Sequence, residues 1–205
     1  MSLESHWDNI FDKSDDCNLG WWEDDVSQSL KFLDDIKIQK DSNIFLSGAG
    51  TSMLVDELIK KDCNLILNDI SQIALDKLKD RLDENDKLEF FRHDISKTFE
   101  DKNIDIWIDR AVLHFLLDEE DIKAYFLNLK SNVKKGGYVL FAEFRDGGAT
   151  KCASLPIKQY SLSQLSKRLG NNFKLLKDEE FDYTTPSGDI KEYIYALYIR
   201  VGDDR

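Results

Sequence analysis

Asn43-Ile44-Phe45-Leu46-Ser47-Gly48-Ala49-Gly50 is a short apolar run that stops at two glycines, and the residues after it, Met53 to Ile59, change to helical spacing. Such a run predicts a strand buried on both faces, and a glycine turn leading straight into a helix opens a strand-helix-strand unit. The alternation then repeats. Asn64 to Asn68 reads as a second strand, a helix follows from Ser71, Lys87 to Phe91 is a third strand, Ile104 to Ile108 a fourth and Tyr138 to Ala142 a fifth. Helical spacing fills Asp118 to Val133, with Gly136-Gly137 as its expected stop. This order is that of an α/β, Rossmann-like fold around a mostly parallel sheet.

Outside residues 43–145, Ser5 to Asp12 and Val26 to Ile36 read as two helices of an N-terminal cover over 1–40. Residues 146–205 carry a substrate-side loop, a helix and two strand-like runs, Phe173 to Phe181 and Lys191 to Val201, joined by the turn-rich Thr184 to Asp189. The expectation is one domain over 1–205, with the tail from Gly202 frayed.

Composition narrows the function. A net charge of −12 opposes nucleic-acid phosphates, so no nucleic acid is expected as partner. The charge leaves a basic protein possible. No apolar run is long enough to span a membrane, and the start lacks a secretory pattern, so a cytoplasmic protein with no membrane partner is expected. Three scattered cysteines without a C-x-x-C pair predict neither disulfides nor a metal site.

The loop Gly48-Ala49-Gly50 lets a ligand approach backbone N–H groups at the start of a helix. A dinucleotide fingerprint needs a third glycine where Met53 stands, for close helix-strand packing, which disfavours nicotinamide and flavin cofactors. S-adenosylmethionine has no pyrophosphate and needs only room for its methionine portion, with an acid after the second strand to hold the ribose hydroxyls. Asp69 is that acid, although it stands equally well as a cap for the helix near Ser71. Asp94 after strand three suits the adenine amino group with Ile95 packed on the ring, or a simple turn.

Residues beyond the carboxyl ends of parallel strands line the ligand crevice. Asp109 and Arg110 are placed there, with His114 a turn onward as a possible base or a packing residue. Glu143, Arg145 and Cys152 are further crevice candidates, but Cys152 has no neighbour in sequence to activate it, which argues against a nucleophile. Trp21 and Trp22 offer aromatic faces to an adenine or a sulfonium cation, or to the core.

His6-Trp7-Asp8, Trp21-Trp22, Gly48-Ala49-Gly50, Asp69-Ile70-Ser71, and above all Asp109-Arg110-Ala111-Val112-Leu113-His114-Phe115-Leu116 and Lys151-Cys152-Ala153-Ser154-Leu155-Pro156-Ile157 leading to Tyr160, make nearly the whole chain resemble a bacterial-type branch of the class I S-adenosylmethionine-dependent methyltransferases. The resemblance implies a seven-stranded sheet with its last strand antiparallel. It also implies methyl transfer, and a cofactor pocket lined by Gly48, Gly50, Asp69, Ile70, Asp94, Ile95 and Asp109. Leu46 departs from it, standing where the family carries an acid, so the loop is expected to be held otherwise, through Ser47 or Ser52, or to bind more weakly.

The leading expectation is therefore methyl transfer to N, O or S of a small molecule by direct displacement, with Asp109, His114 and Arg110 as catalytic candidates. The cofactor candidates are Trp22, Gly48, Ala49, Gly50, Asp69, Ile70, Asp94, Ile95 and Asp109. A protein lysine methyltransferase and a non-catalytic binding module are the alternatives.

Overall fold

The computed structural model describes residues 2–202, so the tail beyond Gly202 lies outside the described residues. One seven-stranded sheet runs in the order β3-β2-β1-β4-β5-β9-β8, where β1 is Asn43–Ser47, β2 Asn64–Asp69, β3 Leu88–Arg92, β4 Ile104–Arg110, β5 Val133–Phe144, β8 Phe173–Thr184 and β9 Ile190–Arg200. β1 to β5 pair in parallel, and β9, last in the chain, is antiparallel to both β5 and β8. The fold class read from the sequence is therefore the one observed.

The apolar runs are explained by burial on both faces. Ile44, Leu46, Leu65, Leu67, Ile106 and Ile108 pack on one side of the sheet, while Phe45, Ile66, Trp107, Val139 and Phe141 pack on the other. Alternate residues of a strand point to opposite faces, so a strand covered on both sides must be apolar throughout. Phe45 stacks on Trp107 with ring centroids 4.3 Å apart, tying β1 to β4.

The helices begin where the sequence supplies caps. Ser71 caps α4 (Gln72–Arg81) by accepting from Ala74 N–H, Asp118 caps α5 (Glu119–Asn132) by accepting from Glu120, and Ser161 with Gln164 forms a reciprocal box at α6 (Leu162–Leu169). α1 (Leu3–Lys13) and α2 (Ser27–Leu33) form the N-terminal helices, and α3 (Leu54–Ile59) follows β1. Asp8 on α1 accepts from the Ser71 hydroxyl at 2.6 Å, docking the N-terminal helix onto the start of α4.

Two expectations are corrected. Gly136-Gly137 does not stop α5, which ends at Asn132; the glycines lie inside β5, where Val133 pairs with Ile104 but Tyr138 already pairs with Ile106. The extra residues make a bulge. Gly136 has φ +81°, and a Cβ on Gly137 would stand 2.8 Å from the Lys134 carbonyl, so only glycine fits both demands. The substrate-side loop expected after residue 145 instead contains a small hairpin, β6 (Lys151–Cys152) with β7 (Leu155–Pro156).

Candidate active site

The order of the sheet reverses at β1, whose neighbours are β2 and β4, and Ser47 at the end of β1 lies in register with Asp109 of β4. A crevice opens where such strands diverge. Here it has a volume of about 780 Å³, including the part open to solvent, and is lined by Gly48, Gly50, Asp69, Ile70, Asp94, Ile95 and Arg110 among the residues singled out from the sequence.

The glycines are required by geometry. Gly48 has φ +58° and a Cβ there would stand 2.2 Å from Val112 Cγ2; Gly50 has φ +50° and faces the Phe11 ring. The loop is held by its neighbours rather than by an acid at position 46. Ala49 N–H donates to the Asn68 carbonyl at 2.7 Å, Gly50 N–H to Asp69 Oδ2 at 2.9 Å, and the Thr51 and Ser52 carbonyls accept from Arg81. The Ser52 hydroxyl accepts from Leu54 N–H just before α3, while the buried Ser47 hydroxyl has no partner. Leu46 itself is core.

Asp69 stands both at the start of α4 and at the crevice. Oδ1 accepts Ser71 N–H at 2.9 Å at the start of α4, Oδ2 braces the glycine loop, and the carboxylate still borders the crevice. Burial pushes its pKa up to about 6, against the pull of those backbone donors. Asp94 likewise makes a turn, accepting from Ser96 N–H and hydroxyl at 2.9 and 2.8 Å, and borders the crevice.

The roof is aromatic. Trp7 and Phe11 of α1 and the Trp21 ring close over the crevice, with Trp7 and Trp21 edge to face at 5.5 Å. Trp7 and Phe11 were not expected there; their helical spacing was the available signal. Trp22 and Ala49 line a separate cavity behind the glycine loop instead, and Trp22 donates to Asp24. Arg110 anchors this roof. It pairs with Glu23 at 2.5 Å and donates to the Trp21 carbonyl at 3.1 Å, lying over the Tyr183 and Tyr193 rings.

Asp109 and His114, both read as crevice groups, lie beneath it with 0% exposure. Neither appears on the crevice wall. Asp109 accepts from the Tyr125 hydroxyl and from Val112 N–H, so it shapes the floor that Val112 presents to Gly48. Burial, and then the neighbouring Glu143, push its pKa well up. Glu143 is also raised by burial, to about 8, and its Oε2 lies 2.8 Å from His114 Nδ1. Burial lowers the His114 pKa. Two carboxyl groups and an imidazole thus form one enclosed network. The group of this cluster that does reach the crevice is Cys152, at 5% exposure. Sequence neighbours gave it no activation; the residue that reaches its sulfur is Lys191 of β9, which donates to Sγ at 3.5 Å. Arg145 instead faces Glu180 and Asp182 of β8.

The donor set suits S-adenosylmethionine. Glycine backbone stands where a chain must pass closely, two carboxylates stand at the ends of β2 and after β3, and aliphatic and indole faces lie between. No group of three or more His, Cys, Asp or Glu able to hold a metal ion occurs among the described residues. Nor is any described helix long and apolar enough to cross a membrane.

Comparison with known proteins agrees with this arrangement. Residues 47–139 match a family model described as a methyltransferase domain. Over 150 residues the chain is 29% identical to malonyl-acyl-carrier-protein O-methyltransferase 2 of Ilyobacter polytropus, a match over 67% of this chain and 57% of that protein. The chain therefore spans little more than half the length of this curated relative. Among solved structures, a S-adenosylmethionine-dependent methyltransferase from Anabaena variabilis superposes with TM-score 0.77 at 13% identity over 96% of this chain and 93% of that one. The N-methyltransferase NodS of Bradyrhizobium japonicum, bound to S-adenosylhomocysteine, gives TM-score 0.73 at 14% identity over 96% and 97%. At such identities the likeness is one of fold. Residues 47–139 thus match a methyltransferase domain, within a chain whose fold is that of S-adenosylmethionine-dependent methyltransferases of known structure.

Proposed function

We propose that this chain transfers the methyl group of S-adenosylmethionine to N, O or S of a small-molecule acceptor by direct displacement. The observation that carries the reading is the Asp69-braced glycine loop facing the crevice at the β1/β4 divergence. In place there, the cofactor supplies an electrophilic methyl carbon on a sulfonium. Gly48 and Gly50 give the methionine portion close approach to backbone N–H groups. Asp69 accepts from the ribose hydroxyls with lone pairs not used by Gly50 and Ser71, and Asp94 accepts from the adenine amino group while Ile95 packs on the ring. Ile70 packs beside them.

Asp109 serves this site from below, by holding Val112 against the glycine loop. The aromatic roof of Trp7, Phe11 and Trp21 excludes water and offers its faces to the cation. Displacement needs little else than proximity and orientation. The crevice, narrowed by Trp7 and Phe11 of α1, supports a small acceptor over a long polymer chain. The free cysteines, Cys17, Cys63 and Cys152, support a reducing compartment such as the cytoplasm.

The reading is tested by incubating the protein with cofactor labelled in the methyl group and a metabolite extract. Label is expected in small solutes. Label in macromolecules would instead favour a protein or nucleic-acid acceptor, and no transfer from any pool would favour a binding module.

A further inference from the structure

Behind the glycine loop lies a second cavity of about 500 Å³, including the part open to solvent, and it shares Trp21, Gly48 and Arg110 with the crevice. The two are neighbours across Gly48. Among the described residues on the wall of this second cavity, Glu23, from the segment before α2, is the one carboxylate and Arg110 the one cation. They face each other, with Arg110 Nη2 2.5 Å from Glu23 Oε1. Leu46 is core, so the loop from 46 to 52 has no acid of its own.

Three buried polar atoms of this wall are unsatisfied. Arg110 Nε and Nη2 have no acceptor in hydrogen-bonding geometry, and the hydroxyl of Ser47, a residue 1% exposed, has no partner. Buried polar groups are costly when unpaired, so several around one cavity mark the place of a polar ligand. A pair kept only to fasten the roof leaves them unexplained, because Arg110 Nη1 already holds the Trp21 carbonyl at 3.1 Å. Burial raises the Glu23 pKa against the pull of Arg110, so one cation compensates this carboxylate incompletely.

We propose that Glu23 and Arg110 receive the amino-acid end of S-adenosylmethionine, Glu23 taking its ammonium and Arg110 its carboxylate; the proposal rests on the methyltransferase reading. Asp69 and Asp94 serve the ribose and the adenine, so a zwitterion beside Gly48 finds its opposite charges in this pair. Nε and Nη2 lie on one edge of the planar guanidinium, the edge that offers a carboxylate two parallel donors. The ammonium, Glu23, Arg110 and the carboxylate then alternate in sign, and each buried charge gains a second partner. Glu23 thereby supplies, from a neighbouring segment, the acid that β1 lacks at Leu46. Since Trp21 is two residues away, holding the ammonium also holds the roof.

The test is calorimetric titration of the full chain with S-adenosylhomocysteine, which has the same amino-acid end, and with its deaminated and decarboxylated analogues. The wild type is expected to bind each analogue at least roughly tenfold more weakly than S-adenosylhomocysteine, the scale of one charge-assisted hydrogen bond. E23Q is expected to weaken S-adenosylhomocysteine by a similar factor and to leave the deaminated analogue, which has no ammonium to lose, unchanged. If E23Q does not fold, E23D, whose charge stands one methylene further back, carries the same comparison. Either analogue binding the wild type as tightly as S-adenosylhomocysteine would overturn the proposal. So would a Glu23 variant that weakens S-adenosylhomocysteine and the deaminated analogue alike, the result of a purely structural pair, or that weakens neither. These outcomes defeat the subsite alone, whereas no binding of S-adenosylhomocysteine by the folded wild type defeats the methyltransferase reading with it.

Discussion

Asp69 Oδ2 accepts the Gly50 N–H at 2.9 Å, so the acid that closes β2 and the glycine loop that follows β1 form one hydrogen-bonded unit. Its other oxygen holds the N–H of Ser71, the residue that caps α4. A single carboxylate therefore sets the loop, holds the residue that caps the next helix and borders the crevice.

From this follows a pH dependence. With its pKa raised by burial to about 6, Asp69 is protonated more readily in the folded chain than in the unfolded one. Its ionisation therefore lowers stability as pH rises between about 4 and 6, whereas ribose binding needs the ionised form. Cofactor affinity is expected to weaken as pH falls below about 6, and D69N is expected to remove that dependence, as measured by calorimetry across pH 5 to 8.

Gly48 makes a second prediction. G48A imposes a left-handed alanine and a clash with Val112, each costing roughly 1–3 kcal/mol. Thermal unfolding should show a large fall for G48A. G48A/V112A should recover the clash portion and leave the backbone portion.

Arg110 and Glu23 form a buried pair, with side-chain exposures of 12% and 7%. Removing one partner leaves the other charge uncompensated, at a cost of roughly 3–5 kcal/mol. R110M is expected to be strongly destabilised in urea unfolding, and R110M/E23Q less so than the sum of the single variants.

The roof predicts an optical signal. Trp7 and Trp21 line the crevice, whereas Trp22 lines the cavity behind the loop. S-adenosylhomocysteine is expected to change the tryptophan emission of the wild type and of W22F, and to change it least in a W7F/W21F double variant.

Much of the fold is legible from sequence because its parallel strands are covered on both faces, so runs such as Ile44-Phe45-Leu46 and Leu65-Ile66-Leu67 are apolar without alternation. Caps at Ser71 and Asp118 mark helix starts by local hydrogen bonds. Gly136-Gly137 misled because a helix stop and a strand bulge ask the same conformational freedom of glycine. Within the site, the glycine loop and Asp69 are local features and were readable. The depth of Asp109 and His114, the choice of Trp21 over Trp22 at the crevice, and the partners of Cys152 arise from contacts across many residues, which no spacing records.

The most direct measurement is calorimetric titration of S-adenosylmethionine into the wild type and D69N at pH 7.5. Micromolar binding by the wild type is expected, with roughly ten- to hundredfold weaker binding by D69N from the loss of charge-assisted hydrogen bonds of about 1.5–3 kcal/mol. No binding by the folded wild type, or equal binding by both, would contradict the account.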